Sequence, residues 1–147
     1  MASIVSVNAS ARKGRIKRPV QEGRLVVDVG LAGDAHALGG HRQLSLLASE
    51  SIEKMSAQCK EPFAPGMFAE NITTEGVELY TLPVGTRLRL GECLVEITQI
   101  GKECHSHCEI FQRLGSCIMP VEGVFARVLA GGAVRAGDGV ELEAREN

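Results

Sequence analysis

The chain has 147 residues, of which 44% are hydrophobic and 23% charged, with a formal net charge of −2 at neutral pH. That is enough apolar material for one domain with a real core, and it excludes both disorder and a pair of large domains. Aromatic residues make up only 3%, with no Trp, so there is neither the stacking surface nor the basic surplus that nucleic acid would ask for.

No apolar run reaches the roughly 18 residues of a membrane span. The N-terminal stretch Met1 to Asn8 is too mixed for a signal-peptide core. The expected location is the cytoplasm, where thiols stay reduced and clustered cysteines read as metal-binding or catalytic before they read as disulfides. Five cysteines would in any case leave one unpaired.

Taken in chain order, Ser3 to Val7 alternates as a half-buried strand does. Ala11 to Arg18 carries five cations and reads first as a solvated loop, with an anion-binding patch as the alternative. Gly23 to Val29 is a Val-rich strand and Gly30 to Gly40 a loop with four glycines, Asp34 and His36. A short strand over Gln43 to Leu47 precedes the best helix, Ala48 to Gln58. There Ser49 is the expected cap, Glu50 and Glu53 suit the positive end of the dipole, and Ile52 and Met55 share a face.

Pro62, Pro65 and Gly66 break the regular structure beyond that helix. Thr86 to Leu90, the turn Gly91-Glu92 and Cys93 to Ile100 make the clearest hairpin. Cys108 to Leu114 predicts two helical turns, Val124 to Leu129 a strand turned at Gly131-Gly132, and Val140 to Glu143 a last strand. Many short strands, many glycines and one helix predict a single mainly β domain over residues 1–147, a closed or nearly closed β-barrel with a few short helices.

Reactive chemistry concentrates in Gly101 to Ile110. Cys104 and Cys108 stand four residues apart, with His105 and His107 between them, Lys102 just before and Cys117 beyond. On a helix that spacing puts both thiols on one face, and nearby cations favour the thiolate that attacks electrophiles and binds soft metals. The alternatives are a core cysteine beside an accidental surface thiol, a zinc site and a Cys/His metal or redox sensor. The zinc site is disfavoured because the ligands do not fall into two separated pairs. Cys93, in an alternating strand, reads as core packing.

A second cluster runs from Gly33 to Gln43, where His41, Arg42 and Gln43 are donors suited to phosphate or carbonyl oxygens. It is neither a Walker loop nor a dinucleotide fingerprint, and a plain polar hairpin loop is the competing reading. A third holds Glu70 and Asn71, as a turn cap or as a pocket wall. Arg127, within an apolar strand, either meets a partner or an anionic ligand or faces solvent.

Together these segments resemble the MOSC domain, the module at the C-terminus of molybdenum cofactor sulfurases that also occurs as a stand-alone bacterial protein. The matching pieces are Gly33-Asp34-Ala35-His36 with His41-Arg42-Gln43, Phe68 to Val77, Leu82-Pro83-Val84-Gly85, Thr98 to His105, Cys117-Ile118-Met119-Pro120 and Gly123 to Leu129. Their order and number carry the likeness from about Gly14 to Leu142, the expected core of the domain.

The resemblance implies a β-barrel and a cysteine that carries sulfane sulfur as a persulfide or meets the metal of a molybdopterin-type molybdenum or tungsten cofactor. By the family pattern Cys108 ranks ahead of Cys104, either being able to contact that metal. His41, Arg42, Lys102, Arg127, Glu70, Asn71, His105 and His107 are the expected cofactor-binding residues. The pyridoxal-phosphate domain of full sulfurases has no room here, so a cysteine desulfurase is the implied sulfur donor and a molybdo- or tungstoenzyme the implied acceptor. A non-catalytic carrier or storage module for the cofactor is the alternative. Three positions depart from the family pattern: Ala69 for a common Gly, His107 for a common Pro, and Val121 for a common Arg.

Overall fold

The computed structural model of the chain describes residues 2–10, 16–35, 37, 39–40, 43–60, 62–101 and 122–143. The strands are β1 (Ser3–Ala9), β2 (Arg18–Val20), β3 (Gly23–Val26), β4 (Gly30–Leu31), β5 (Leu44–Ala48), β6 (Ile72–Glu75), β7 (Arg87–Leu90), β8 (Cys93–Ile100), β9 (Val124–Ala130), β10 (Gly132–Val134) and β11 (Val140–Leu142). Among the described residues one α-helix, α1 (Ser49–Cys59), follows β5, and one 3-10 turn covers Leu79–Thr81.

Eight strands form one sheet in the order β11-β7-β8-β9-β5-β6-β1-β2, and β10-β3-β4 form a second. Pairing is antiparallel except between β5 and β6. A parallel pair needs a long crossover, and α1 lies in the one that joins them. The molecule is thus mainly β, with one α-helix and a mixed sheet among the described residues, which is the coarser part of the barrel expectation. Ser3 and Gly139 form a single bridge, and Ile4 N–H donates to Asp138 O at 2.8 Å, so β1 also lies against the turn that leads into β11.

The alternation of Arg87 to Leu90 puts Leu88 and Leu90 in the core and both arginines outside. The turn after them falls where expected: Leu90 pairs Cys93, and Gly91 takes the positive φ that a two-residue hairpin turn demands. Leu88 and Leu90 meet Val7, Leu25, Leu44, Ile72, Val95 and Val128 in the main core. A smaller cluster sits under α1, where Ile52 and Met55 pack on Leu47, Phe68 and Phe125. Each fully buried aliphatic side chain contributes about 1.5–3 kcal/mol. Among the described residues no helix is long and apolar enough to cross a membrane.

Several expectations need correction. Ala48, not Ser49, is the N-cap of α1, and it makes no side-chain cap bond; Ser49 is already helical and its hydroxyl donates to Glu50. The strand begun at Gly23 stops at Val26, because residues 27–29 turn. Lys17, inside the supposed solvated loop, is fully buried, whereas residues 11–15 lie outside the described residues. Strand β2 was hidden by its composition: Arg18, Pro19 and Val20 are all exposed at a sheet edge, where Pro is tolerated and no burial pattern marks the strand. The expected helical turns at Cys108 to Leu114 also lie outside the described residues.

Candidate functional site

Arg127 stands on β9 directly opposite Glu96 on β8. Its Nε and Nη2 lie 3.2 and 3.1 Å from Glu96 Oε1, and Arg87 Nε approaches Glu96 Oε2 at 3.4 Å. The Arg127 side chain remains 45% exposed, so the arginine has both a partner and access to solvent. Beside it opens a cleft of about 530 Å³, lined by Asp28, Gly40, Gln43, Glu96, Thr98 and Arg127, with Val84 on its rim. Asp28 adopts φ 58°, and its N–H donates to Val128 O at 3.2 Å. That bond holds the turn after β3 against β9.

Gln43 is buried and ties this cleft together. Its Nε2 donates to Gly40 O at 2.8 Å, and its Oε1 accepts Val128 N–H at 2.8 Å. The glycine loop returns to its own start, with Gly39 N–H donating to Val29 O at 3.1 Å. Gly30 has to be glycine: a Cβ there would stand 2.2 Å from Gln43 O.

The strands β8 and β9 also hold the segment with the cysteine cluster. Ile100 pairs Val124, and Gly101 N–H donates to Gly123 O at 2.6 Å, so the end of β8 and the start of β9 lie side by side. Just before β9, Glu122 accepts hydrogen bonds from Ser51 Oγ at 2.5 Å and from Lys54 Nζ. Burial raises the Glu122 carboxyl, but the bonds from Lys54 and Ser51 outweigh it and hold the group below the ordinary carboxylate range. Glu122, Ser51, Lys54, Glu50 and Tyr80 line a second cavity of about 410 Å³.

Glu70 and Asn71 are buried in a polar network and do not line the cleft of Arg127. Asn71 Oδ1 accepts Ser45 N–H at 3.0 Å and Ser45 Oγ at 3.1 Å, while its Nδ2 donates to Asn8 O at 3.2 Å. Asn71 therefore joins β5 to β1, where the sequence reading had it as a turn cap or a pocket wall. Glu70 Oε2 accepts Gly66 N–H at 3.0 Å and Thr73 Oγ1 at 2.7 Å, whereas Oε1 has no partner. Burial pushes this carboxyl up, against the pull of those bonds. The residue before it, Ala69, has φ 66°, a left-handed conformation in which a Cβ is strained.

Lys17 and Asp34 form a buried ion pair, and Lys17 N–H donates to Gly66 O at 2.8 Å. These bonds bring the Gly33–Gly40 loop and the Gly66–Gly76 segment onto one framework. Cys93 is buried, and burial pushes its thiol up to about 11, which removes it from thiolate chemistry. His41, Arg42, Lys102, Cys104, His105, His107 and Cys108 lie outside the described residues. Among the described residues no group of three or more His, Cys, Asp and Glu is placed to hold a metal ion. The sequence reading missed Asp28 and Glu96. The alternating pattern of β8 puts Glu96 on the outer face, but its pairing with Arg127 joins residues far apart in the chain.

Several solved structures share this fold. The YuaD protein from Bacillus subtilis matches with a TM-score of 0.82 at 17% identity, over 99% of this chain and 98% of that one. YiiM from Geobacillus stearothermophilus matches with a TM-score of 0.76 at 21% identity, over 99% and 76%. YiiM from Escherichia coli matches with a TM-score of 0.71 at 23% identity, over 99% and 71%. At these identities the likeness shows the fold. No curated protein matches the chain. The family model of the MOSC domain matches residues 33–141, which include Gly40, Gln43, Glu96 and Arg127 of the cleft, Glu70, Asn71 and the cysteine cluster, and the chain therefore belongs to the MOSC domain family.

Proposed function

We propose that this protein binds a molybdopterin-type molybdenum or tungsten cofactor at the cleft of Arg127, and carries or transfers sulfane sulfur as a persulfide on Cys108 or Cys104. The observation that carries the reading is the convergence at that cleft. Gly40 and Gln43, which flank His41-Arg42, line it together with Thr98, which stands just before the cysteine segment. The bridge from Ser3 to Gly139 supports reading the sheet as a nearly closed barrel around this framework.

The cleft fits such a cofactor in part on its described residues. Its volume of about 530 Å³ falls in the ordinary range of small-molecule sites. Asp28 and Glu96 are acceptors for the N–H donors on the edge of a pterin. The phosphate needs more positive charge than Arg127 alone, since Glu96 already engages it. His41, Arg42 and Lys102 are the residues to supply it.

When bound, the cofactor supplies a soft metal centre able to take a sulfur ligand. The chain's own part begins with the thiolate of Cys108 or Cys104, kept ionised by His105 or His107 and Lys102. That thiolate attacks the outer sulfur of a donor persulfide. The donor's S–S bond breaks, a new S–S bond forms on this chain, and the donor leaves as a thiolate. A cysteine desulfurase is the proposed donor, a molybdo- or tungstoenzyme the proposed acceptor, and the cytoplasm the proposed setting. Glu70 and Asn71 serve the site by holding β6 and β1 to β5.

The test is incubation with a cysteine desulfurase and cysteine, followed by peptide mass spectrometry. The expected result is one added sulfur atom on Cys108 or Cys104, lost on alkylation before incubation. An added sulfur that persists in a Cys104→Ala/Cys108→Ala double variant contradicts the reading.

A second reading, a carrier or storage module that makes no bond itself, draws support from the described lining. Two carboxylates and one guanidinium suit holding a ligand better than attacking one. Pterin binding that survives the double cysteine substitution, without any sulfur uptake, favours it.

A further inference from the structure

Arg87 on β7, Glu96 on β8 and Arg127 on β9 stand opposite one another in one row across three strands. Glu96 Oε1 accepts Arg127 Nε and Nη2 at 3.2 and 3.1 Å, and its Oε2 accepts Arg87 Nε at 3.4 Å. Both oxygens of that carboxylate are committed to arginines. Gln43 is likewise committed at both ends of its amide, to Gly40 O and to Val128 N–H. Asp28 differs from them. It lines the same cleft and is exposed, yet among the described residues no hydrogen bond or ion pair engages its carboxylate.

We infer that Asp28 and Arg127 read the 2-amino-4-oxo edge of a pterin ring, Asp28 accepting the 2-amino and N3 hydrogens and Arg127 donating to the C4 carbonyl oxygen. A carboxylate is an acceptor only, and its two oxygens can take two parallel N–H groups. Arg127 keeps donors beyond those given to Glu96, and its side chain is 45% exposed. With its charge already met by Glu96, this guanidinium suits a neutral carbonyl better than a phosphate. Val128 ties the two ends together: its O accepts Asp28 N–H at 3.2 Å, and it directly follows Arg127 on β9. Acceptor and donor therefore stand on one short, hydrogen-bonded framework. Glu96 is a positioning residue in this arrangement, holding Arg127 while Arg87 holds Glu96.

This inference deepens the proposed function and rests on it for the choice of ring. Its test measures the binding of free pterin and of lumazine to the full-length protein by ligand fluorescence. Lumazine carries a carbonyl where pterin carries the 2-amino group. The wild type is expected to hold pterin at least about tenfold more tightly, because lumazine loses one charge-assisted bond and sets a carbonyl against the carboxylate. Asp28→Asn is expected to reverse the order, since its amide donates to the lumazine carbonyl and still accepts from N3. Asparagine tolerates the φ of 58° at this position, so the variant keeps the turn. Glu96→Gln is expected to change both affinities by the same factor, because it acts on the ring only through Arg127.

A merely structural Asp28 would leave the order of the two rings unchanged in Asp28→Asn, and that result overturns the inference. So does a reversal in Glu96→Gln, or a wild type that does not distinguish the rings. Guanosine carries the same edge on another ring system, and a wild type that binds it more tightly than pterin overturns the choice of pterin. A protein that shows the expected ring preference yet takes up no sulfur refutes the sulfur-carrying function and leaves the role of Asp28 standing. Sulfur uptake without any ring preference does the reverse.

Discussion

Lys17 Nζ lies 2.6 Å from Asp34 Oδ1 and 2.8 Å from Asp34 Oδ2, with both side chains sealed from solvent. Asp34 Oδ1 also accepts Ser10 N–H at 3.0 Å. Through Lys17 N–H and Gly66 O the same pair reaches Glu70, which accepts the N–H of Gly66. One buried ion pair thus joins the chain before β2, the glycine loop that leads to the cleft, and the turn before β6.

Removing one member of such a pair strands a buried charge, whereas removing both does not. Lys17→Met is therefore expected to cost about 3–5 kcal/mol, measured by urea unfolding. Lys17→Met/Asp34→Leu should recover most of that loss. A double variant less stable than Lys17→Met would contradict the account.

Glu70 makes a pH-dependent prediction. Burial holds its carboxyl above the ordinary value of 4.5, so the folded state keeps the proton to higher pH than the unfolded chain does. Stability from this group is full below 4.5 and falls as pH rises towards the folded value, then stays level. Glu70→Gln removes the titration while keeping an acceptor for Gly66 and Thr73. Its melting temperature relative to wild type should therefore rise between pH 4 and pH 8. A difference independent of pH would show that Glu70 is ionised alike in both states.

Glu122 has the opposite sign. The bonds from Lys54 and Ser51 hold its carboxyl below the ordinary 4.5 despite burial. Its contribution is present above 4.5 and is lost as pH falls through the lower folded value. Ser51→Ala should cost about 1.5–3 kcal/mol at neutral pH, the loss of a hydrogen bond to a charged group. The cost should shrink as pH falls below 4.5 through the lower folded value, where the carboxylate takes up its proton, as followed by thermal unfolding above and below that point. An equal cost at both would assign the effect to packing of the serine.

Ala69 carries a smaller but cleaner prediction. At φ 66° an alanine is strained by about 1–2 kcal/mol, whereas glycine adopts that conformation freely. Glycine in turn loses more backbone entropy on folding. The balance favours Ala69→Gly by about 1 kcal/mol, read as a higher urea midpoint with an unchanged slope. No gain would place the strain elsewhere in the Gly66–Glu70 turn.

Local chemistry made part of this protein legible. Alternation exposed the hairpin of β7 and β8, because Leu88 and Leu90 face the core while Arg87 and Arg89 do not. Ile52 and Met55 on one face marked α1. The order of the motifs carried the family, whose model matches residues 33–141. Less legible was what depends on distant pairing. Lys17 sits in a run of cations that composition reads as solvated, and only the arrival of Asp34 makes its burial tolerable. Ser49 has the right side chain for a cap but stands one residue too late to serve as one. Glu96 and Arg127 define the cleft together, yet each alone is an ordinary outward residue of a strand. The cysteines and histidines around Cys108 were read from their chemistry and lie outside the described residues.

The central claim is that one chain brings together sulfur on a cysteine and a molybdopterin-type cofactor. Native mass spectrometry of the full-length protein, purified from a molybdenum-replete host, reports both at once. The account predicts a species carrying the mass of the pterin cofactor, together with one extra sulfur that disappears on reduction and is absent from the Cys104→Ala/Cys108→Ala variant. A protein that carries neither pterin nor sulfur, and instead holds stoichiometric zinc, would contradict it.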